Sequence, residues 1–168
     1  SRPSDRIRSE SGTAVPVRSA IDESIDSVFE ALEGDRLTQL VAPIEKAKTI
    51  WSLSGEPSLA GARALHSGLT MGRPGVRLLE EHSFGTDLSD LEQGDAAVVI
   101  DFMRYRRQTV AATRILADAG VSIVAITDSP LSPLVELADV WSQIKIPAVG
   151  PFDSSIPVVA FCELLVAQ

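Results

Sequence analysis

Residues 95–128, DAAVVIDFMRYRRQTVAATRILADAGVSIVAITD, decide the fold of this chain. The segments DAAVVIDF (95–102) and VSIVAITD (121–128) are rich in β-branched residues and lack the polar alternation of a half-solvated strand, so both predict fully buried strands. Residues 107–119 predict a helix, which Gly120 can end at the C′ position. A buried strand, a helix and another buried strand indicate a right-handed crossover in a parallel sheet.

The same alternation continues on both sides of this unit. Three further apolar segments predict strands: TIWSLSG (49–55), VRLLE (76–80) and VWSQIKI (140–146). Helices are predicted from Ile21 to Gly34, after Asp35 as an N-cap, over 58–71, from Ser132 to Ala138, and from about Ser155 to Ala167. The chain is therefore predicted to be an α/β protein, a three-layer, doubly wound, five-stranded parallel sheet of flavodoxin-like type with N-terminal helices.

Length and composition narrow the class of protein. At 168 residues, with 45% apolar and 23% charged residues, the chain fits one globular domain. Residues 1–20 lack periodicity and are interpreted as a linker arm, which leaves 21–168 as the domain. The net charge of −8 argues against a broad nucleic-acid surface on this segment. No apolar run is long enough to span a bilayer, so a cytoplasmic protein without membrane contact is expected.

Metal and redox chemistry have little support in the sequence. Cys162 stands alone in an apolar run and can form no intrachain disulfide, so we expect a buried core residue. Two histidines and one cysteine show no metal-ligand spacing. We therefore predict neither a metal nor a cofactor.

In an open parallel sheet, ligands bind beyond the carboxyl ends of the strands, near the point where the strand order reverses. The loop after the first strand, SGEPS, places Ser54 and Ser58 beside a helix start, which favours an anion. Ser58 is equally explained as the cap of its own helix. Glu56 in the same loop would repel a phosphate unless it faces solvent or bonds a sugar hydroxyl.

The loop after the third strand, FMRYRRQT (102–109), carries three arginines in an acidic chain. Guanidinium groups hold phosphates in bidentate fashion, so Arg104 and Arg106 are candidate ligands, together with Tyr105 and the hydroxyl of Thr109. The alternative is a solvated charged turn in which Tyr105 is a packing residue.

Two further loops lie at the same predicted edge. Before the last helix, Ser154 and Ser155 can cap the helix or contact a sugar hydroxyl, and capping explains one of them. In the loop after the fourth strand, Thr127 and Asp128 are interpreted as turn residues rather than ligand contacts.

The succession TIWSLSGEPSLAGA, DFMRYRRQT and VSIVAITDSPLSPLVELADVW resembles the C-terminal SIS (sugar isomerase) domain of RpiR-type bacterial transcription regulators, over roughly residues 22–168. The segment ITDSPLSPLVELAD (126–139), following the arginine and tyrosine residues at 104–107, favours the regulators over SIS enzymes. The resemblance implies a five-stranded parallel sheet, a dimer or tetramer, and a sugar-phosphate effector. It also implies DNA binding only through a helix-turn-helix domain N-terminal to residue 1.

The resemblance further implies roles for individual residues. Ser58 and Thr109 correspond to the residues that hold the phosphate, and Ser154 and Ser155 to those that close the pocket. The family commonly has glycines in the first loop, where this chain has Ser54 and Glu56. An unphosphorylated or differently charged effector therefore stays open.

Three functions compete at this point. The leading prediction is a non-enzymatic effector-binding and oligomerisation domain. The second is a sugar-phosphate isomerase or lyase, which needs a general base. Glu56 is the carboxylate in a phosphate-side loop, whereas His66 and His82 are interpreted as packing or surface residues. The third is a dimerisation module whose pocket has degenerated.

Overall fold

The computed structural model describes residues 14–55, 58–80, 84 and 88–168. Within these residues the chain forms a sheet of five parallel strands in the order β2-β1-β3-β4-β5. The strands are β1 (Ile50–Ser54), β2 (Val76–Leu79), β3 (Ala96–Ile100), β4 (Ser122–Thr127) and β5 (Val140–Gln143). The predicted five-stranded parallel α/β sheet is confirmed.

Five α-helices accompany the strands in the described part of the chain: α1 (Ala14–Ala31), α2 (Arg36–Lys46), α3 (Leu59–Gly72), α4 (Arg107–Asp118) and α5 (Ile156–Val166). Helix α4 ends as predicted, because Gly120 has a φ of +82°. The N–H groups of Gly120 and Val121 donate to the carbonyls of Ala117 and Leu116, both at 3.1 Å, which is a Schellman motif. No described helix has the length and apolarity needed to cross a membrane.

The sheet separates two apolar layers. Ile50 of β1 belongs to the layer covered by α1, α2, α3 and α5, whereas its neighbour Trp51 belongs to the layer covered by α4. Successive strand residues point to opposite faces, and every residue of β1 and β3 is buried. The three-layer arrangement is therefore confirmed. Cys162 is fully buried in the first layer, as expected, and burial followed by the nearby Glu163 carboxylate raises the pKa of its thiol to about 12.

Helices α3 and α5 pack closely through two glycines. A Cβ placed on Gly61 would lie 2.6 Å from Val158 Cγ2, and a Cβ on Gly68 would lie 2.8 Å from Val166 Cγ1. The first contact joins the beginnings of the two helices and the second joins their ends. Helices α3 and α5 therefore run side by side in the same direction, and their N-termini lie at the same edge of the sheet.

The predicted start of the first helix is wrong. Helix α1 begins at Ala14, whereas the sequence pattern places the start at Ile21, so residues 14–20 of the predicted linker are helical. Pro16 made this stretch resemble a loop. A proline in the first turn of a helix costs little, because the N–H groups there have no intrahelical partner.

Three further local predictions need correction. Asp35 makes no side-chain capping bond and has helical φ and ψ angles, whereas a capping residue needs an extended conformation. The predicted helix of 132–138 is a single 3-10 turn, Val135–Leu137. The loop before α5 contains an unpredicted hairpin of β6 (Ala148–Val149) and β7 (Phe152–Asp153).

The contact between α3 and α5 yields a prediction for stability. A glycine-to-alanine change inside a helix normally stabilises it by about 1 kcal/mol. Gly61→Ala should instead lower the free energy of unfolding by about 1–3 kcal/mol, because the new methyl would overlap the stiff Val158 side chain. Gly72→Ala is the matched control, since a Cβ there meets nothing within 4 Å. Urea unfolding of the two variants compares them. Equal effects would contradict the close packing of these helices.

Candidate functional site

The strand order reverses between β1 and β3. After β1 the chain crosses to β2 on one side, and after β3 it crosses to β4 on the other. Ser54, the last residue of β1, is paired with Ile100, the last residue of β3. The two following loops therefore leave the sheet at the same level and side by side. This is the position where open α/β sheets bind ligands.

Gly55 brings these two loops into direct contact. A Cβ on this residue would lie 2.5 Å from Arg106 Cγ and 3.3 Å from Thr109 Oγ1. The absence of a side chain at residue 55 therefore lets the beginning of α4 approach the end of β1. Ser54 and Ser58 flank Gly55 along the chain, and the Ser58 N–H donates to the Gly55 carbonyl at 3.1 Å.

Three residues at or next to this contact carry buried hydroxyls. Ser54 and Ser58 are each 1% exposed and Thr109 is 0% exposed. None of their hydroxyl oxygens has a hydrogen-bond partner among the described residues. Leaving a buried hydroxyl unpartnered costs about 1–3 kcal/mol, so three in one place indicate a site built for something other than stability.

The interpretation of Ser58 as a helix cap is wrong. Ser58 occupies the N-cap position of α3, but its side chain makes no capping hydrogen bond. Thr109 is the third residue of α4 and likewise leaves its hydroxyl unpartnered. The first turns of two helices, with their orphan N–H groups and positive dipole ends, therefore lie beside these hydroxyls. Such a setting favours a negatively charged group that accepts hydrogen bonds.

Two carboxylates hold residues 102–106, which we call the arginine loop. Asp101 accepts hydrogen bonds from the N–H groups of Phe102 at 3.1 Å and Arg106 at 2.8 Å. Asp128, just after β4, accepts from the Met103 N–H at 3.0 Å and from the Tyr105 hydroxyl at 2.6 Å. The arginine loop is therefore a tethered segment and not a loose solvated turn.

The arginine-loop candidates differ in their surroundings. Arg104 is exposed, and Arg106 is half-buried with its Cγ against Gly55. Tyr105 is half-buried and its hydroxyl proton is donated to Asp128. Burial, and then this bond, raise the pKa of Tyr105 above its ordinary 10.0. Tyr105 thus fastens the loop, and its oxygen is left only as an acceptor.

The carboxyl group of Asp101 has a pKa well above its ordinary value. Burial raises its pKa from 3.8 to about 6, with a smaller contribution from the charge of Asp128. The N–H groups of Arg106 and Phe102 and the charge of Arg106 act in the opposite direction. Near neutral pH Asp101 is therefore a buried carboxylate that backbone donors partly compensate.

Ser154 and Ser155 precede α5 at the same edge of the sheet. The Ser154 hydroxyl accepts from the Ile156 N–H at 3.2 Å, which is a turn bond between residues two apart, whereas Ser155 occupies the N-cap position of α5. Ser155 is exposed and makes no capping bond. Because Val158 in the first turn of α5 packs on Gly61 in the first turn of α3, both serines lie near the beginning of α3.

The structure describes one of the acid–base candidates of the enzyme hypothesis. His66 is half-buried in the middle of α3, away from its N-terminal turn. Glu56 and His82 lie outside the described residues. The described part of the chain contains no group of three His, Cys, Asp or Glu side chains that could hold a metal ion.

Sequence reasoning missed Asp101 and undervalued Asp128. Asp101 directly follows a buried apolar strand, and a carboxyl group at that edge of the sheet is a signal that could have identified it. The sequence pattern presents Asp128 as a turn residue, whereas its two oxygens bind residues that are 25 and 23 positions away in sequence. No local pattern reveals such a partner.

The shifted carboxyl yields a prediction for pH dependence. Because the folded-state pKa of Asp101 lies above the unfolded value, its protonation favours folding. This contribution is complete below pH 3.8 and is lost as pH rises through about 6. Urea unfolding of wild type and Asp101→Asn between about pH 4.5 and 7.5 isolates it. The wild type should lose at least about 1 kcal/mol relative to the variant. A constant difference would contradict the raised pKa.

Comparison with solved structures places this fold among known proteins. The sugar isomerase domain of an RpiR transcription factor from Sphaerobacter thermophilus has a TM-score of 0.83 at 26% identity, covering 92% of this chain and 89% of that one. The Vibrio vulnificus NanR protein, solved with ManNAc-6P, has a TM-score of 0.71 at 18% identity, covering 95% and 62%. A Listeria monocytogenes protein described as a candidate sugar-phosphate isomerase has a TM-score of 0.70 at 14% identity, covering 92% and 89%.

Sequence comparison gives the family. Curated protein sequences provide no match. The family model of the SIS domain matches residues 69–168, more than half of the chain, and the strand order and helix layers described above agree with it. The chain therefore belongs to the SIS domain family.

Proposed function

We propose that this chain is the effector-binding and oligomerisation domain of an RpiR-type transcription regulator, and that its effector is a sugar phosphate or a related metabolite. The observation that carries the proposal is the group of three buried, unpartnered hydroxyls of Ser54, Ser58 and Thr109 beside two helix N-termini. Hydroxyl donors and helix N-termini suit the oxygens of a phosphate. Arg104, which is exposed, and Arg106, which is half-buried, supply positive charge at the same edge.

The regulator assignment rests on similarity and on the chemistry of the site. The RpiR domain is 26% identical to this chain, against 14–19% for the neighbours described as isomerases. Two described carboxylates at this edge, Asp101 and Asp128, are engaged in holding the arginine loop. A binding domain needs such a tethered loop, whereas an isomerase needs a base that is free to exchange a proton with the substrate.

One observation favours the isomerase alternative. Asp101 has a pKa of about 6, which is within the range of a general base near neutral pH. Both of its oxygens accept backbone N–H groups of the arginine loop, so proton transfer would have to proceed without loss of these bonds. The alternative therefore predicts turnover that Asp101→Asn abolishes.

The proposal includes a homo-oligomer and DNA binding through a separate N-terminal domain, joined by the residues that precede helix α1 (Ala14–Ala31). Large apolar side chains are exposed on the loops and helix start at the carboxyl edge of the sheet, as subunit contacts require: Met103, Leu131, Phe152 and Ile156. In this scheme the effector alters how the subunits pack and thereby how the DNA-binding domains are spaced.

A thermal-shift panel tests the proposed effector. The probes are ManNAc-6P, glucose 6-phosphate, fructose 6-phosphate and ribose 5-phosphate, with the unphosphorylated sugars and inorganic phosphate as controls. A ligand at 100 times its Kd adds about 2.7 kcal/mol, which corresponds to a rise in Tm of roughly 5–10 °C for a domain of this size. We expect such a rise, without aldose–ketose conversion, and its loss in Arg106→Ala. Turnover would favour the isomerase. The absence of a shift with every probe would favour the degenerate module.

The unpartnered hydroxyls yield a second prediction. Ser58→Ala and Thr109→Val should leave the free protein equally stable, or more stable by up to about 1 kcal/mol, because each removes an unsatisfied buried hydroxyl. The same variants should lose the ligand-induced shift. Ser52→Ala is the matched control, since Ser52 Oγ donates to the Ala62 carbonyl at 2.9 Å.

The control should behave in the opposite way. Ser52→Ala should lower the free energy of unfolding by about 1 kcal/mol and preserve ligand binding. Isothermal calorimetry and urea unfolding measure the two quantities. Destabilisation by Ser58→Ala with unchanged affinity would assign its hydroxyl a purely structural role.

A further inference from the structure

The two carboxylates that hold the arginine loop bind it over different separations along the sequence. Asp101 immediately precedes the loop, so its bonds to Phe102 and Arg106 determine the local shape of the chain. Asp128 follows the neighbouring strand β4, and its bonds to Met103 and Tyr105 span 25 and 23 residues. Asp128 therefore determines where the loop lies on the sheet.

The arginine loop is held from both sides. On the β1 side, the Cγ of Arg106 fills the space beside Gly55. On the β4 side, Asp128 binds the residues before and after Arg104, namely Met103 and Tyr105. The backbone of Arg104 is thus fixed at both ends, although its side chain is exposed. Of the loop arginines, Arg104 depends most on Asp128 for its position.

The same bonds decide how this loop can contact an anion. The N–H groups of Phe102, Met103 and Arg106 all donate to carboxylates. A phosphate at this loop would therefore be bound by guanidinium groups, by the Thr109 hydroxyl and by the N–H groups of the first turn of α4, and not by these three N–H groups. The position of those side chains then controls affinity.

We propose that Asp128 is a positioning residue of the ligand site, which clamps the arginine loop to the end of β4 through Met103 and Tyr105 and so aims Arg104 at the bound anion. This inference rests on the proposed function. It predicts that Asp128 strengthens binding of the anion, although its own charge is negative. A carboxylate near a phosphate repels it, so neutralisation alone would strengthen binding, whereas loss of the clamp weakens it.

The first experiment needs no ligand. Tyr105 is the chain's single tyrosine, so the ultraviolet absorbance of its phenolate reports on this residue alone. The bond to Asp128 and its charge both raise the pKa of Tyr105. In Asp128→Asn the phenol should therefore ionise at lower pH than in wild type. Ser129→Ala is the matched control, because Ser129 Oγ accepts only the Leu131 N–H of the same turn, at 3.0 Å. An unchanged titration in Asp128→Asn would overturn the clamp.

The second experiment measures affinity for the sugar phosphate of the panel that raises the wild-type Tm most, and for inorganic phosphate. Asp128→Asn and Tyr105→Phe should each weaken binding of the sugar phosphate, Asp128→Asn by about tenfold or more, while Ser129→Ala binds as wild type. Tyr105→Phe removes only the hydroxyl and keeps the ring, so it still tests the clamp if Asp128→Asn folds poorly. Equal or tighter binding by both variants would overturn the proposal.

A double-mutant cycle separates positioning of Arg104 from a general loss of order. If Asp128 acts through Arg104, Asp128→Asn should cost little in an Arg104→Ala background, so that the double variant binds within about twofold of Arg104→Ala. Additive effects would overturn this assignment. If no probe binds wild type, the proposed function fails, whereas the clamp is still decided by the titration of Tyr105.

Discussion

The parallel pairing of β1 with β3 is the constraint on which the site depends. Ser54 and Ile100 end their strands at the same level, so the loops that follow must share one edge of the sheet. Because the chain turns to opposite sides after these two strands, the crossover helices that follow them, α3 and α4, lead away from each other. Gly55 then allows the start of α4 to approach within contact distance. Hydroxyls from two distant segments thereby come together in a buried place.

The site carries costs that the rest of the domain offsets. Three buried hydroxyls without partners disfavour folding, and Asp101 keeps a carboxylate in a place where burial raises its pKa. The surrounding elements are closely packed: β1 and β3 are buried along their whole length, and α3 and α5 contact each other through glycines. A rigid scaffold of this kind holds polar groups in positions that a flexible one would not maintain.

Electrostatics in this domain are local. The chain has a formal net charge of −8, yet the arginine loop concentrates positive charge at the edge where we propose that an anion binds. Asp101 and Asp128 lie in the same region, and both direct their oxygens at donors of that loop. Their negative charge is thus used to fix the loop that presents the arginines. Net charge alone would have suggested a surface unsuited to a phosphate.

The sequence alone determined the architecture and the general position of the site. Runs of β-branched residues identify buried strands, helical spacing identifies the intervening helices, and a parallel sheet brings the strand-end loops to one edge. On that basis all five strands were predicted, with errors only in where each strand begins and ends. Local patterns were less reliable where the same residue fits two structures: Pro16 suits a loop or a first helical turn, and Asp35 suits a cap or a helical turn.

The tertiary structure decided which side chains have partners. Ser58 and Ser154 both precede helices, yet only the Ser154 hydroxyl accepts a hydrogen bond from a backbone N–H, and spacing along the chain does not distinguish them. Asp128 resembles an ordinary turn residue until β3 and β4 are placed side by side, since its partners are more than 20 residues away. Hydrogen bonding depends on distances of about 3 Å between atoms, and such distances between remote segments arise only when the sheet is assembled.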